Sequence, residues 1–146
     1  MIAVVVFYNQ KEGTTPRTKG EKIMKMYRIS KHASEDRFER MCYLMEQLGI
    51  GEEVCQMTDR NRTDRQIALT STGVILVLAS DGCVITAYVA SIREAMAVWR
   101  KSSPAREAMR MPNWLYEKIL SNRFYYEDCN ALNEYFYGKG KNYSFF

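Results

Sequence analysis

Apolar and polar positions along this chain switch between two rhythms, a period of two for strands and a period near 3.6 for helices. The tightest pattern runs from Arg65 to Trp99. Three short runs, Arg65–Ser71, Val74–Ala79 and Cys83–Val89, are separated by a Thr-Gly turn and a Ser-Asp-Gly turn. Runs of that length between such turns predict a β-meander with hairpin connections. In the last run, alternation puts Cys83, Ile85, Ala87 and Val89 on one face and Val84, Thr86 and Tyr88 on the other. Ser91 then opens a helix whose Ile92, Ala95, Met96 and Trp99 form one apolar stripe.

Upstream, the continuous apolar run Ile2–Tyr8 predicts a central strand, Asn9–Gly20 a polar loop, and Lys25–Ser30 a short strand. Ser30 or Ser34 can cap a helix that ends near Gly49. Phe38, Met41, Leu44, Met45 and Leu48 form its buried stripe, with Arg37 and Arg40 together at one margin. The polar stretch Gly51–Asp64 reads as a connector. Downstream, Ser103-Pro104 predicts a third helix by the preference for Pro at a first helical position, and Pro112-Asn113 separates it from a fourth. The expected architecture is α+β: an N-terminal strand and a helix packed on a small antiparallel β-meander, followed by C-terminal helices. One domain over 1–146 is expected, with a core over about 1–100 and an aromatic-rich helical extension over about 101–146.

Composition narrows this picture. A hydrophobic share of 47% with 26% charged residues is that of a folded globular chain. No run approaches the roughly 18 apolar residues of a membrane span, and the apolar start lacks a preceding basic stretch and a small-residue cleavage pattern. We therefore expect no membrane association and a location in a reducing cytoplasm. Cys42, Cys55, Cys83 and Cys129 form no C-x-x-C pair, so free buried thiols are expected and neither a metal nor a cofactor is.

The net charge of +4 is unevenly spread: residues 1–31 carry seven Lys/Arg against two Glu. Arg17, Lys19, Lys22, Lys25, Arg28 and Lys31 make one basic strip, and Arg60, Arg62 and Arg65 a second patch. Both suit a phosphate backbone or an acidic protein surface. A solvated loop and an edge strand guarded by lysines account for the strip equally well.

No phosphate-cradling glycine loop, metal cluster or nucleophile elbow is present in the sequence. A histidine, several arginines, a threonine and a tyrosine are nonetheless sufficient for metal-independent RNA cleavage. A base must take the 2′-hydroxyl proton, an acid must serve the 5′-oxygen, and cationic donors must hold the phosphate. The segment S-x-H-A-x(3)-R-x(2)-R (Ser30, His32, Ala33, Arg37, Arg40) and the hairpin end D-G-x-V-I-T-x-Y (Asp81–Tyr88) resemble small phage and plasmid proteins of the RelE/barnase–EndoU–colicin-like ribonuclease fold, DUF4258-type proteins especially. The likeness covers about Tyr27–Ala90. It implies a metal-independent ribonuclease with His32 as acid/base, Arg37 and Arg40 as phosphate clamps, and Thr86 and Tyr88 as positioning groups. The phage resemblance would make the expected cytoplasm that of a bacterial host cell.

Plainer accounts stand beside each residue. His32 can be a surface or capping residue, Arg37 and Arg40 can pair with Glu35, Asp36 or Glu39, and Thr86 and Tyr88 satisfy ordinary strand preference. The rival expectation is a non-catalytic, phage-type inhibitor that contacts a host nucleoprotein or protein complex. A homodimer through the C-terminal aromatic helices is a third arrangement the pattern allows.

Overall fold

The computed structural model describes residues 2–7, 24–29, 38–137 and 145–146. Within them six strands form one sheet: β1 Ile2–Phe7, β2 Met24–Ile29, β3 Glu53–Thr58, β4 Gln66–Thr70, β5 Val74–Leu78 and β6 Val84–Val89. The same described residues hold four helices: α1 Phe38–Gln47, α2 Ile92–Lys101, α3 Asn113–Ser121 and α4 Arg123–Tyr137. The α+β class expected from the pattern is observed, with C-terminal helices after the meander.

The sheet order is β1-β2-β6-β5-β4-β3. Strands β3 to β6 are the antiparallel meander, joined by hairpins. The β1–β2 pair is also antiparallel, Ile2 opposite Ile29 through Phe7 opposite Met24. It meets the meander through a parallel contact at Ile29 and Val84. The apolar run at the start therefore lies at a sheet edge, not at its centre as its composition suggested.

The meander has four strands where the pattern predicted three. Strand β3 lies inside the stretch read as a polar connector. Its Cys55 is buried and Val54 and Met57 pack on the core. Glu53, Gln56 and Thr58 masked that pattern, and a bulge between Glu53 and Cys55 breaks the alternation. A second bulge, between Val77 and Leu78 on β5, shifts the register against β6. Thr86 and Tyr88 lie beyond it, opposite Val77 and Ile75, and keep the common face expected of them.

Helix α1 ends as its sequence implies. Leu48 and Gly49 both donate backbone N–H groups to the Leu44 carbonyl, and Gly49 takes φ +68. From Arg40 onward its buried positions are Arg40, Met41 and Leu44, while Met45, expected inside, is exposed. The buried face is thus turned toward Arg40. Helix α2 starts with a capping box: Ser91 Oγ accepts from the Glu94 amide at 3.1 Å, and Glu94 Oε1 accepts from the Ser91 amide at 3.2 Å. Ser103-Pro104 opens only a 3₁₀ turn, Pro104–Arg106, in place of the predicted third helix.

Helix α1 packs on β6 and α4, α2 on β3 and β4, and α3 on α2 and α4. The buried apolar residues form one cluster from Met41 to Phe145. Leu44, Leu69, Ile75, Leu76, Leu115 and Ile119 are its largest fully buried aliphatic members. Each contributes about 1.5–3 kcal/mol by leaving water. All four cysteines are free thiols, and Cys42 is exposed where burial was expected. Among the described residues, no helix is long and apolar enough to cross a membrane.

The β4–β5 turn is heavily bonded. Gly73 N–H closes it onto the Thr70 carbonyl at 3.0 Å, with Gly73 at φ +81. Thr72 Oγ1 donates to the carbonyls of Gly49 and Ile50, both at 2.9 Å. Asn122, fully buried at the α3–α4 joint, donates from Nδ2 to the Thr72 carbonyl at 2.7 Å. A Cβ on Gly73 would meet that same Nδ2 at 2.6 Å.

Losing the Asn122 amide leaves the carbonyl of half-buried Thr72 without this donor. Asn122→Ala should therefore lower the urea unfolding free energy by on the order of 1–3 kcal/mol. Ser121→Ala, one exposed residue away, should change it by less than about 0.5 kcal/mol. An Asn122→Ala midpoint equal to wild type would remove the joint from this account.

Candidate functional site

Three of the five residues singled out for chemistry converge. Arg40 from α1 donates from Nη2 to Thr86 Oγ1 of β6 at 2.5 Å, bridging 46 positions of sequence. Its Cζ stands 5.9 Å from the centre of the Tyr88 ring, within cation–π range. Alternation on β6 places Thr86 and Tyr88 side by side, and the turned face of α1 delivers Arg40 to them. Arg40 is only 8% exposed, and Thr86 and Tyr88 are half-buried. His32 and Arg37, the other two, lie outside the described residues.

The surroundings set the protonation of the cluster. Burial is the main cause that raises the Tyr88 phenol above its ordinary 10.0; the Glu94 carboxylate adds to this by its charge and by a hydrogen bond. The Arg40 cation works in the opposite direction, and Asp59 adds a smaller upward push. Tyr88 is therefore a neutral hydrogen-bond donor near neutral pH and no base. Behind Arg40 lies Cys129, whose thiol burial pushes up to about 12 despite the opposing arginine charge. Such a thiol is protonated and a poor nucleophile. Tyr43 of α1 donates to Asp128 Oδ2 of α4 at 2.7 Å and fixes the two helices beside this cluster.

Chemically, the described part of the site offers one cation, one hydroxyl and one neutral phenol. These can orient and neutralise an anionic group, and the Glu94 carboxylate bonded to Tyr88 is the nearest proton acceptor among the described residues. Glu94, Asp59 and Cys129 were not among the residues read from the sequence as functional. Glu94 carried a signal, since Ser91 and Glu94 have capping-box spacing. The approach of Cys129 and Asp128 to α1 had none, because it depends on how α4 docks. Among the described residues, no group of three or more His, Cys, Asp or Glu is placed to hold a metal ion. Comparison with protein-family models, with curated proteins and with solved structures finds no match to this chain.

The basic residues divide differently. Lys25 and Arg28 belong to β2, while Arg17, Lys19, Lys22 and Lys31 lie outside the described residues. Arg60 and Arg62 are exposed and Arg65 is half-buried on the loop between β3 and β4. That loop is closed by its own bonds: Asp59 N–H to the Arg65 carbonyl at 3.0 Å, and Arg65 N–H to the Arg62 carbonyl at 2.9 Å. Asp64 lies 3.6 Å from Arg62 Nε, an exposed pair of small energetic weight.

The raised phenol and thiol have a sign. Both are neutral when protonated, so the stability they confer is complete below their unfolded values, 9.0 for the thiol and 10.0 for the phenol. It is lost as pH rises past those values toward the folded ones. Unfolding free energy should thus fall steadily above about pH 9, and Tyr88→Phe should flatten the part of that fall above pH 10. An unchanged slope in Tyr88→Phe would show that the phenol is not held as described.

Proposed function

We propose that this is a ribonuclease-like, RNA-binding protein of phage or mobile-element type that acts without a metal ion. The observation that carries the reading is the convergence of Arg40, Thr86 and Tyr88, residues 46 and 48 positions apart in sequence, into one polar cluster. A guanidinium beside a hydroxyl and a protonated phenol suits a phosphate whose charge grows in the transition state. His32 is the acid/base in this proposal and Arg37 the second clamp. Cleavage by this route yields a 2′,3′-cyclic phosphate.

A second reading has a specific observation in its favour. Arg40 is 8% exposed and already bonded to Thr86, so little of its surface is left for a solute. That depth suits an arginine that holds α1 to β6. It fits a non-catalytic binding protein whose exposed Arg60 and Arg62 face a partner. In this reading the protein is an inhibitor that contacts a host nucleoprotein or protein complex.

The two readings separate in one assay. In EDTA, wild type should cut a labelled mixed-sequence RNA to cyclic-phosphate ends, and His32→Ala should lose at least about a hundredfold in rate, the usual scale for a general acid–base group. Salt-sensitive RNA binding without turnover would instead support the second reading. Cleavage that persists in His32→Ala would overturn the first.

A further inference from the structure

A groove lies away from the Arg40 cluster, between α2 and the segment that leads into α3. Its volume is about 510 Å³, within the range of about 300–1,000 Å³ typical of binding pockets. One wall is a helical stripe of α2, Ile92, Met96 and Trp99. The other carries Met109, Met111 and Tyr116. Ile92, Trp99 and Met111 are buried and form the floor. Met109 is 55% exposed and Tyr116 40%, which gives the groove an apolar rim open to solvent.

Two arginines, Arg100 and Arg110, line the mouth with a single carboxylate, Glu107. Among the described residues neither arginine is in an ion pair. A surface built from Met, Trp, Tyr and Arg has the composition enriched where proteins meet one another. Methionines let such a wall reshape around different apolar side chains. The excess of positive charge selects the partner's sign. An enclosed cavity would suit a small molecule. A trough with an exposed rim suits an extended or helical segment laid along it.

We propose that this groove docks an acidic amphipathic peptide segment of a partner protein, with apolar side chains seated on Trp99, Met96 and Met111 and carboxylates on Arg100 and Arg110. The inference is independent of both functional readings above, because neither uses these residues.

The chain has two tryptophans, so Trp114→Phe leaves Trp99 as the sole reporter in the groove floor. The probes are three short synthetic helix-forming peptides. One carries leucine and phenylalanine on one face and glutamate on the other. The second has lysine for every glutamate, and the third has serine for every apolar residue. The acidic amphipathic peptide should shift the Trp99 emission saturably. Its affinity should fall at least about tenfold in the Arg100→Glu/Arg110→Glu variant, which in turn should gain affinity for the lysine peptide. Met109→Asp should weaken binding without that gain. All four substituted positions are exposed, and circular dichroism checks that each variant folds. Equal binding of the lysine peptide to wild type would overturn the proposal. So would binding indifferent to the charge reversal, or a Trp99 response to sodium dodecanoate but to no peptide. No response to any probe would overturn it as well.

Discussion

Buried backbone groups must find partners, and in this fold that requirement concentrates on one three-residue turn. Ser71, Thr72 and Gly73 join two strands of the meander, yet their bonds reach three other parts of the chain. Ser71 exchanges bonds with Glu52, its amide donating to the Glu52 carbonyl at 2.7 Å and its Oγ accepting from the Glu52 amide at 3.0 Å. Thr72 holds the loop after α1. The Gly73 carbonyl accepts from Ala90, at the end of β6, at 2.9 Å. Asn122 closes the set from the helical side. Glycine is needed at two of these contacts: at Gly51 a Cβ would meet Ser71 Oγ, and at Gly73 it would meet Asn122 Nδ2, each at 2.6 Å. Helix α1, strand β6 and the α3–α4 joint are therefore indexed to one point.

That indexing positions the candidate site. Arg40 lies on α1, whose exit is tied to Thr72 through Gly49 and Ile50. Thr86 and Tyr88 lie on β6, whose end is tied to Gly73 through Ala90. Glu94 belongs to the first turn of α2, which Ser91 starts immediately after β6. The cluster therefore inherits its geometry from a rigid frame, as a site needs if its groups are to be held in place before a ligand arrives. The same frame explains why Arg40 is buried. With α1 anchored at its C-terminal end, the long side chain two turns earlier reaches across β6 to Thr86 and Tyr88.

Much of this architecture was legible in the pattern, and the failures have physical causes. The hairpins announced themselves through Gly73 and Gly82, both at positive φ, and α2 through its cap. Strand β3 was hidden because its exposed positions are as polar as a loop and its bulge disrupts the period of two. The Ile2–Phe7 run has the composition of a central strand. Position in a sheet, however, is decided by which strands are left to pair, and no local pattern carries that. Arg40 was placed at the margin of a stripe, and a small rotation of α1 moved it inside while Met45 moved out. The pairing of Thr86 with Tyr88 was readable from alternation alone. Their meeting with Arg40, Glu94 and Cys129 depends on helix docking and was not. Asn122 drew no reading from the pattern, because its burial under Thr72 depends on how the two helices dock on the β4–β5 turn.

The claim on which the functional account turns is that the Arg40–Thr86–Tyr88 cluster lies where RNA makes contact. Side-chain NMR of the arginine Nε–H groups, the Thr86 methyl and the Tyr88 ring, recorded in EDTA while a single-stranded RNA is added, tests this directly. The account predicts saturable shifts at Arg40, Thr86 and Tyr88 that share one dissociation constant. Shifts confined to Arg60, Arg62 and Arg65, with the cluster unmoved, would contradict it and leave Arg40 as a strut between helix and sheet.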